Sequence, residues 1–145
     1  MTIKEIKGNI LNTPVSVIVH GCNAQGKMNS GVARIIRQKY PKTYGEYMNH
    51  YNMYGLKLGE IIPVQCEQTW IVNAITQKYY GNDGKRYVDY TAIRSCLKRV
   101  KVLFYGYKSI ATVRLGCGLG GGDWDIVKKI IQEELEEFEV LVYYL

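Results

Sequence analysis

The sequence predicts an α/β sandwich with a central sheet that is mostly parallel or mixed. Two observations carry this reading. Short stretches rich in β-branched residues alternate along the chain with segments whose apolar residues recur about every 3.6 positions. Two glycine-rich runs also stand in equivalent places, each directly after a strand and directly before a helix.

Taken in order, residues 3–7 form a weak strand and 15–19 (Val-Ser-Val-Ile-Val) a strong one. Val32, Ile35, Ile36 and Lys39 then follow a helical period. Tyr40, Tyr44, Tyr47, Tyr51 and Tyr54 put five rings on one face of a helix that Pro41 opens. Such a stripe is either a stacking platform for bases or the face that packs the helix on the body; rings at this spacing are usually core, and the second reading is preferred. Strands follow at 60–65 and 70–75. Ile93, Leu97, Val100 and Phe104 mark a helix, 109–115 a strand, Trp124, Val127, Ile131, Leu135 and Phe138 a helix, and 140–144 the last strand.

The chain has 145 residues, 47% apolar and 22% charged, with no linker, repeat or low-complexity tract, so a single domain over 1–145 is expected. Its apolar runs are strand-sized, which predicts no membrane span. The start, Met1-Thr2-Ile3-Lys4-Glu5, has no features of a secretory signal, and a cytoplasmic protein is expected. Nineteen Lys and Arg against thirteen Asp and Glu give a net charge of +6. Residues 131–145 hold five of the glutamates and no Lys or Arg, so residues 1–130 carry +11, nineteen basic against eight acidic. A basic body suits an anionic partner or simply a solvated surface. Cys22, Cys66, Cys96 and Cys117 are scattered without a Cys-x-x-Cys pair, and only His20 and His50 stand to join them. No metal site is expected, and the cysteines are read as buried thiols.

The chemistry is expected in the two glycine-rich loops, His20 to Gly31 and Gly116 to Gly122. Glycine lets backbone N–H groups curl around phosphate oxygens, and the helix start that follows adds unpaired donors and a positive dipole end. Two such loops are placed to grip a diphosphate from both sides. Neither continues into Gly-Lys-Ser/Thr, and the first lacks GxGxxG, which argues against ATP hydrolysis and hydride transfer.

An ordered set of segments resembles the macro domain, the ADP-ribose-binding fold. They are Lys7-Gly8-Asn9-Ile10, Val19 to Asn23 with the run to Ala33, Gly59-Glu60-Ile61, Asn73 to Gln77, Gly116 to Trp124, and the final strand. The resemblance implies a three-layer α/β/α sandwich with a central mixed, mostly parallel sheet, and a single macro domain over 1–145. Within the family the chain is most similar to the branch of ADP-ribose 1''-phosphate phosphatases and of glycohydrolases acting on ADP-ribosylated acidic side chains.

The resemblance also implies a ligand set. Asn9 stands where the family usually has an aspartate that accepts from the adenine amino group; its amide oxygen accepts as well, without the charge. Ile10 follows it, and Tyr143, Tyr144 and Leu145 match the strand that packs against the adenine face. Asn23 falls on the asparagine that binds the distal ribose. Gly26, Ser30, Gly31 and Val32 line the first phosphate loop, and Cys117, Gly118, Leu119, Gly120, Gly121 and Gly122 the second. On this basis Gly121→Glu should abolish ADP-ribose binding with the melting temperature little changed.

Two departures bear on mechanism. The glycohydrolases resembled here use a lysine where this chain has Gln77, with Lys78 one residue late, and an aspartate where it has Gly120. A covalent lysine route is therefore disfavoured. Phosphate removal needs an oriented water and donors for the transferring phosphoryl group, without a metal or other cofactor. His20, Asn23 and Asp89 are the candidate catalytic residues. Gln77 is a candidate to orient water or substrate, and Asp123 is read as a helix cap. The expected function is ADP-ribose binding with hydrolysis of an ADP-ribose derivative, the 1''-phosphate first. The alternatives are a glycohydrolase lacking the usual lysine and a non-catalytic reader of ADP-ribose or a related nucleotide, free or on a protein. Nucleic-acid binding ranks last because it leaves the paired loops unexplained.

Overall fold

A computed structural model of the chain describes residues 2–145. Six strands form one sheet in the order β1-β6-β5-β2-β4-β3. They are β1 (Ile3–Lys7), β2 (Val17–Asn23), β3 (Ile61–Cys66), β4 (Thr69–Gln77), β5 (Ser109–Val113) and β6 (Glu139–Tyr144). All neighbours run parallel except β3, which pairs antiparallel with β4 through the turn at Glu67, where φ is 57°. The helices are α1 (Gly31–Lys39), α2 (Pro41–Tyr54), α3 (Tyr90–Leu103) and α4 (Trp124–Glu134).

The central strands are buried on both faces, and their side chains alternate between two helix layers. Val17, Val19, Val72, Ala74, Ile110, Val140 and Val142 meet Ile93, Leu97 and Val100 of α3 and Val127 and Ile131 of α4. On the opposite face Ile18, Ile71 and Ala111 meet Ile36 of α1, while Cys22, Ile62, Val64 and Ile75 meet Tyr47 of α2. The result is the three-layer α/β/α sandwich with a mixed, mostly parallel sheet. Arg94 bonds Glu133 at 2.9 Å and Glu134 at 2.7 Å, tying α3 to α4.

The tyrosine stripe is core at its centre only. Tyr47 is fully buried, while Tyr54 is 69% exposed. Tyr51 closes on the first loop, because a Cβ at Gly26 would stand 3.2 Å from its ring. Cys22 and Cys96 are buried thiols; Cys66 and Cys117 are half-buried. Among the described residues no helix is long and apolar enough to cross a membrane.

Element boundaries differ from the sequence reading at the site. β2 runs on to Asn23, paired to β4 as far as Gln77, so His20 lies inside the strand and not at the head of a loop. β5 stops at Val113, two residues earlier than expected. A short 3₁₀ turn, Ile10–Asn12, follows β1 and was not anticipated.

Candidate functional site

In an open α/β sheet the ligand crevice lies outside the carboxyl ends of the strands, where neighbouring connections diverge. Here β2 and β5 are adjacent, and each sends a glycine-rich loop from its carboxyl end into a helix. Both loops open onto one cleft of about 480 Å³. Its floor is the ends of β2, β4 and β5 (Gly21, Cys22, Asn23, Thr76, Gln77, Val113 and Arg114).

Asn23 organises the first loop. Its Oδ1 accepts from the Gln25 amide at 2.9 Å, its Nδ2 donates to the Lys27 carbonyl at 2.9 Å, and its own carbonyl accepts from Tyr47 Oη at 2.6 Å. Burial pushes the Tyr47 phenol far up, so it stays a donor. The loop delivers Asn29, Ser30, Gly31, Val32 and Ala33 to the cleft wall. Ser30 is the N-cap of α1 but makes no side-chain cap bond, which leaves the first-turn amides without an intrahelical or capping partner.

The second loop is folded on itself. Gly122 N donates to Gly116 O at 2.7 Å and Gly121 N to Gly118 O at 3.1 Å, while Gly120 O accepts from the amides of Tyr87 and Val88 at 2.7 and 3.1 Å. Gly118, Leu119 and Gly120 line the cleft, and among the described residues their own amides donate to nothing. Among the described residues, one cleft therefore has main-chain donors without partners in two separate loops, which suits an anion with several oxygens.

Several expected residues do not reach it. His20 is wholly buried in β2 with Nε2 2.6 Å from Asn73 Oδ1, and burial pulls its pKa down to about 4. It is a neutral core residue, removed from the site because β2 continues past it, and it is withdrawn as an acid–base candidate. Asp89 caps α3, its carboxylate accepting from Ala92 N at 2.9 Å, and it too lies outside the cleft lining. Asp123 caps α4 through Asp125 N at 2.8 Å, as read from the sequence.

Gly26, Cys117, Gly121 and Gly122 are also absent from the lining. Gly121, at φ 71°, turns toward the 85–86 backbone, and a Cβ there would stand 2.5 Å from Lys85 O. A Cβ at Gly122 would stand 2.9 Å from both Gly116 O and Val88. These two glycines close the loop on its support, so Gly121→Glu should lower the melting temperature, which corrects the expectation that it stays little changed. Cys117 donates to Leu115 O at 3.4 Å, and burial raises its thiol to about 11. Asn9 caps the 3₁₀ turn through Leu11 N at 2.9 Å, Ile10 is core, and Tyr144 lies just past the cleft under Arg114.

The lining adds residues the sequence reading missed: Lys27, Asn29, Thr76, Arg114 and the run Tyr80-Gly81-Asn82. That run follows the carboxyl end of β4 in a turn-rich stretch, Gly81-Asn82-Asp83-Gly84, and this position is the signal that was available. Among the described residues the charged side chains in the lining are Lys27 and Arg114, with no Asp, Glu or His. Gln77 lines the cleft with its Nε2 held by Tyr79 O at 2.8 Å. Lys78 is exposed with Nζ 5.4 Å from the Tyr79 ring centre, outside the lining. A Cβ at Gly120 would stand 2.6 Å from Gly116 O, so the backbone as folded has no room there for an aspartate.

Fold and site together define an α/β/α protein with a main-chain anion cleft at the carboxyl edge of its sheet. The macro domain family model matches residues 19–131, and the chain belongs to that family. An Aspergillus oryzae protein named ADP-ribose 1''-phosphate phosphatase is 37% identical, with 97% of this chain and 92% of the relative covered. A Thermus aquaticus DNA ADP-ribosyl glycohydrolase is 28% identical over 94% of this chain, which spans 39% of that relative's length. The structure of Thermosipho africanus DarTG in complex with ADP-ribose superposes with a TM-score of 0.83 at 25% identity, covering 97% of this chain and 41% of that one.

Proposed function

We propose that the cleft binds ADP-ribose and that the protein removes the phosphate from ADP-ribose 1''-phosphate. One observation carries the reading: residues 31–33 and 118–120, whose amides find no partner among the described residues, line one and the same cleft of about 480 Å³. The diphosphate lies between them. The distal ribose lies toward Asn23 and Gln77, and adenine toward the β5–β6 side. The name carried by the Aspergillus oryzae relative supports the choice of reaction.

The chemistry asks little of side chains. Water attacks phosphorus and the bond from phosphorus to the C1'' oxygen breaks; one proton of the water passes by way of the phosphoryl oxygens to the leaving C1'' oxygen and the other stays on the phosphate, giving ADP-ribose and inorganic phosphate. The protein orients the water, with Gln77 Oε1 as acceptor, and spreads the charge of the phosphoryl oxygens over main-chain donors and Lys27. A specific observation favours a second reading. Among the described residues the lining has no Asp, Glu or His, Lys78 lies outside it and Gly120 has no room for a carboxylate, which favours a module that reads or sequesters ADP-ribose, free or on a protein.

Phosphate release from ADP-ribose 1''-phosphate decides between them. Turnover that disappears in Asn23→Ala supports the phosphatase; ADP-ribose binding by calorimetry without phosphate release supports the reader. No binding refutes both.

A further inference from the structure

Residues 78–87 leave the sheet and come back to the same spot. Gln77 ends β4, and Val88 returns to pair with it in an antiparallel bridge, with Asp89 N on Thr76 O at 2.8 Å. A surface loop whose ends meet in this way is packed by its own side chains. One end is tied to the first glycine-rich loop, because Gln25 Nε2 donates to Lys78 O at 2.9 Å. The other end is tied to the second through the Tyr87 and Val88 amides on Gly120 O. The crown between them, Tyr80-Gly81-Asn82, lines the cleft beyond Gln77, at the end where the ADP-ribose reading puts the distal ribose.

Side chains hold this crown in place. Among the described residues no backbone–backbone hydrogen bond involves residues 79–86. Instead Tyr87 Oη donates to Asp83 Oδ1 at 2.8 Å, and the same oxygen accepts from Lys85 N at 3.2 Å. The Tyr87 ring lies against Gly81, where a Cβ would overlap the hydroxyl and stand 2.7 Å from Cζ. Glycine at 81 is what lets the ring pass the crown and reach Asp83. Tyr87 is half-buried, Asp83 is exposed, and neither lines the cleft, so the core does not account for the pair. Without that latch a crown of Gly, Asn and Asp samples many conformations, and a ligand that needs it ordered binds more weakly.

We propose that Tyr87 and Asp83 are positioning residues that set selectivity for a nucleotide carrying a terminal ribose over a plain nucleoside diphosphate. The latch pre-orders Tyr80-Gly81-Asn82 as the wall on which the distal ribose rests. ADP has the same adenosine and diphosphate, ends before that wall and is indifferent to it. This inference rests on the ADP-ribose reading of the cleft.

The test measures the affinities of ADP-ribose and of ADP by calorimetry for the wild type, Tyr87→Phe, Asp83→Ala, Asp83→Asn and Gly118→Leu. Tyr87→Phe keeps the ring on Gly81 and loses the donor; Asp83→Ala loses the acceptor. Each should weaken ADP-ribose roughly fivefold, the scale of one hydrogen bond, and leave ADP within twofold of the wild type. Asp83→Asn retains an acceptor for Tyr87 Oη and Lys85 N and should restore wild-type affinity for ADP-ribose. ADP-ribose affinity within twofold of the wild type in either Tyr87→Phe or Asp83→Ala overturns the proposal. So does an equal loss for ADP, or an Asp83→Asn variant as weak as Asp83→Ala. If the wild type binds ADP-ribose and Gly118→Leu does not, the cleft reading stands whatever the latch variants do; if the wild type fails to bind, both fall.

Discussion

His20 Nε2 lies 2.6 Å from Asn73 Oδ1, across the β2–β4 pairing, with both side chains wholly buried. Asn73 Nδ2 donates to Ile62 O at 3.1 Å, so its Oδ1 is the acceptor and the imidazole is the neutral form protonated on Nε2.

Burial holds the His20 pKa near 4 against an ordinary 6.5, so between these values the unfolded chain binds the extra proton and the folded one does not. Stability should therefore fall as pH drops from 6.5 toward 4, by roughly 3 kcal/mol in all. Carboxylates with lowered pKa, such as Glu5 beside Lys128, act in a different window: their contribution is present above about 4.5 and lost below it. Urea unfolding at pH 7, 6 and 5 should show a falling midpoint that His20→Gln removes. A flat wild-type profile would contradict this account of His20.

Gly121 and Gly118 should separate folding from binding. Gly121→Ala adds a Cβ at φ 71° against Lys85 O and should cost roughly 2–4 kcal/mol. Gly118 has nothing within 4 Å of its Cβ position and lines the cleft. Gly118→Leu should unfold at nearly the wild-type urea concentration yet lose ADP-ribose binding by calorimetry.

Asp89 should behave as a cap. Asp89→Ala removes the acceptor of Ala92 N and should lower stability by about 1 kcal/mol with ADP-ribose affinity unchanged. A large loss of phosphate release at unchanged affinity would return Asp89 to the list of catalytic candidates.

Asn23 should affect ligand and loop together. Asn23→Asp keeps the acceptor for Gln25 N and loses the donor to Lys27 O. ADP-ribose affinity should fall about tenfold or more, since a carboxylate also meets the ligand hydroxyls with added charge near the diphosphate. Unchanged affinity would separate Asn23 from the ribose.

What was legible beforehand lay in local pattern. The alternation of strands and helices and the position of the two glycine-rich loops follow from spacing and composition over a few residues, whereas Asn23 was singled out by the resemblance to the macro domain. The misreadings involve partners distant in sequence. The burial of His20 depends on Asn73, 53 residues away on the neighbouring strand. The role of Gly121 depends on Lys85 and Arg86, which reach it only when the 85–88 segment crosses the second loop. Arg114 lies beside Tyr144 because of the β5–β6 register. Glycine composition marks a loop that bends sharply, but not which of its glycines face a ligand and which face the body.

The central claim is that one diphosphate sits between the two loops. Diffraction from crystals soaked in ADP-ribose measures this directly. The account predicts phosphate oxygens at about 2.7–3.2 Å from main-chain nitrogens of both 31–33 and 118–120, with the distal ribose against Asn23. A nucleotide held by one loop alone, or bound away from the carboxyl edge of the sheet, would contradict it.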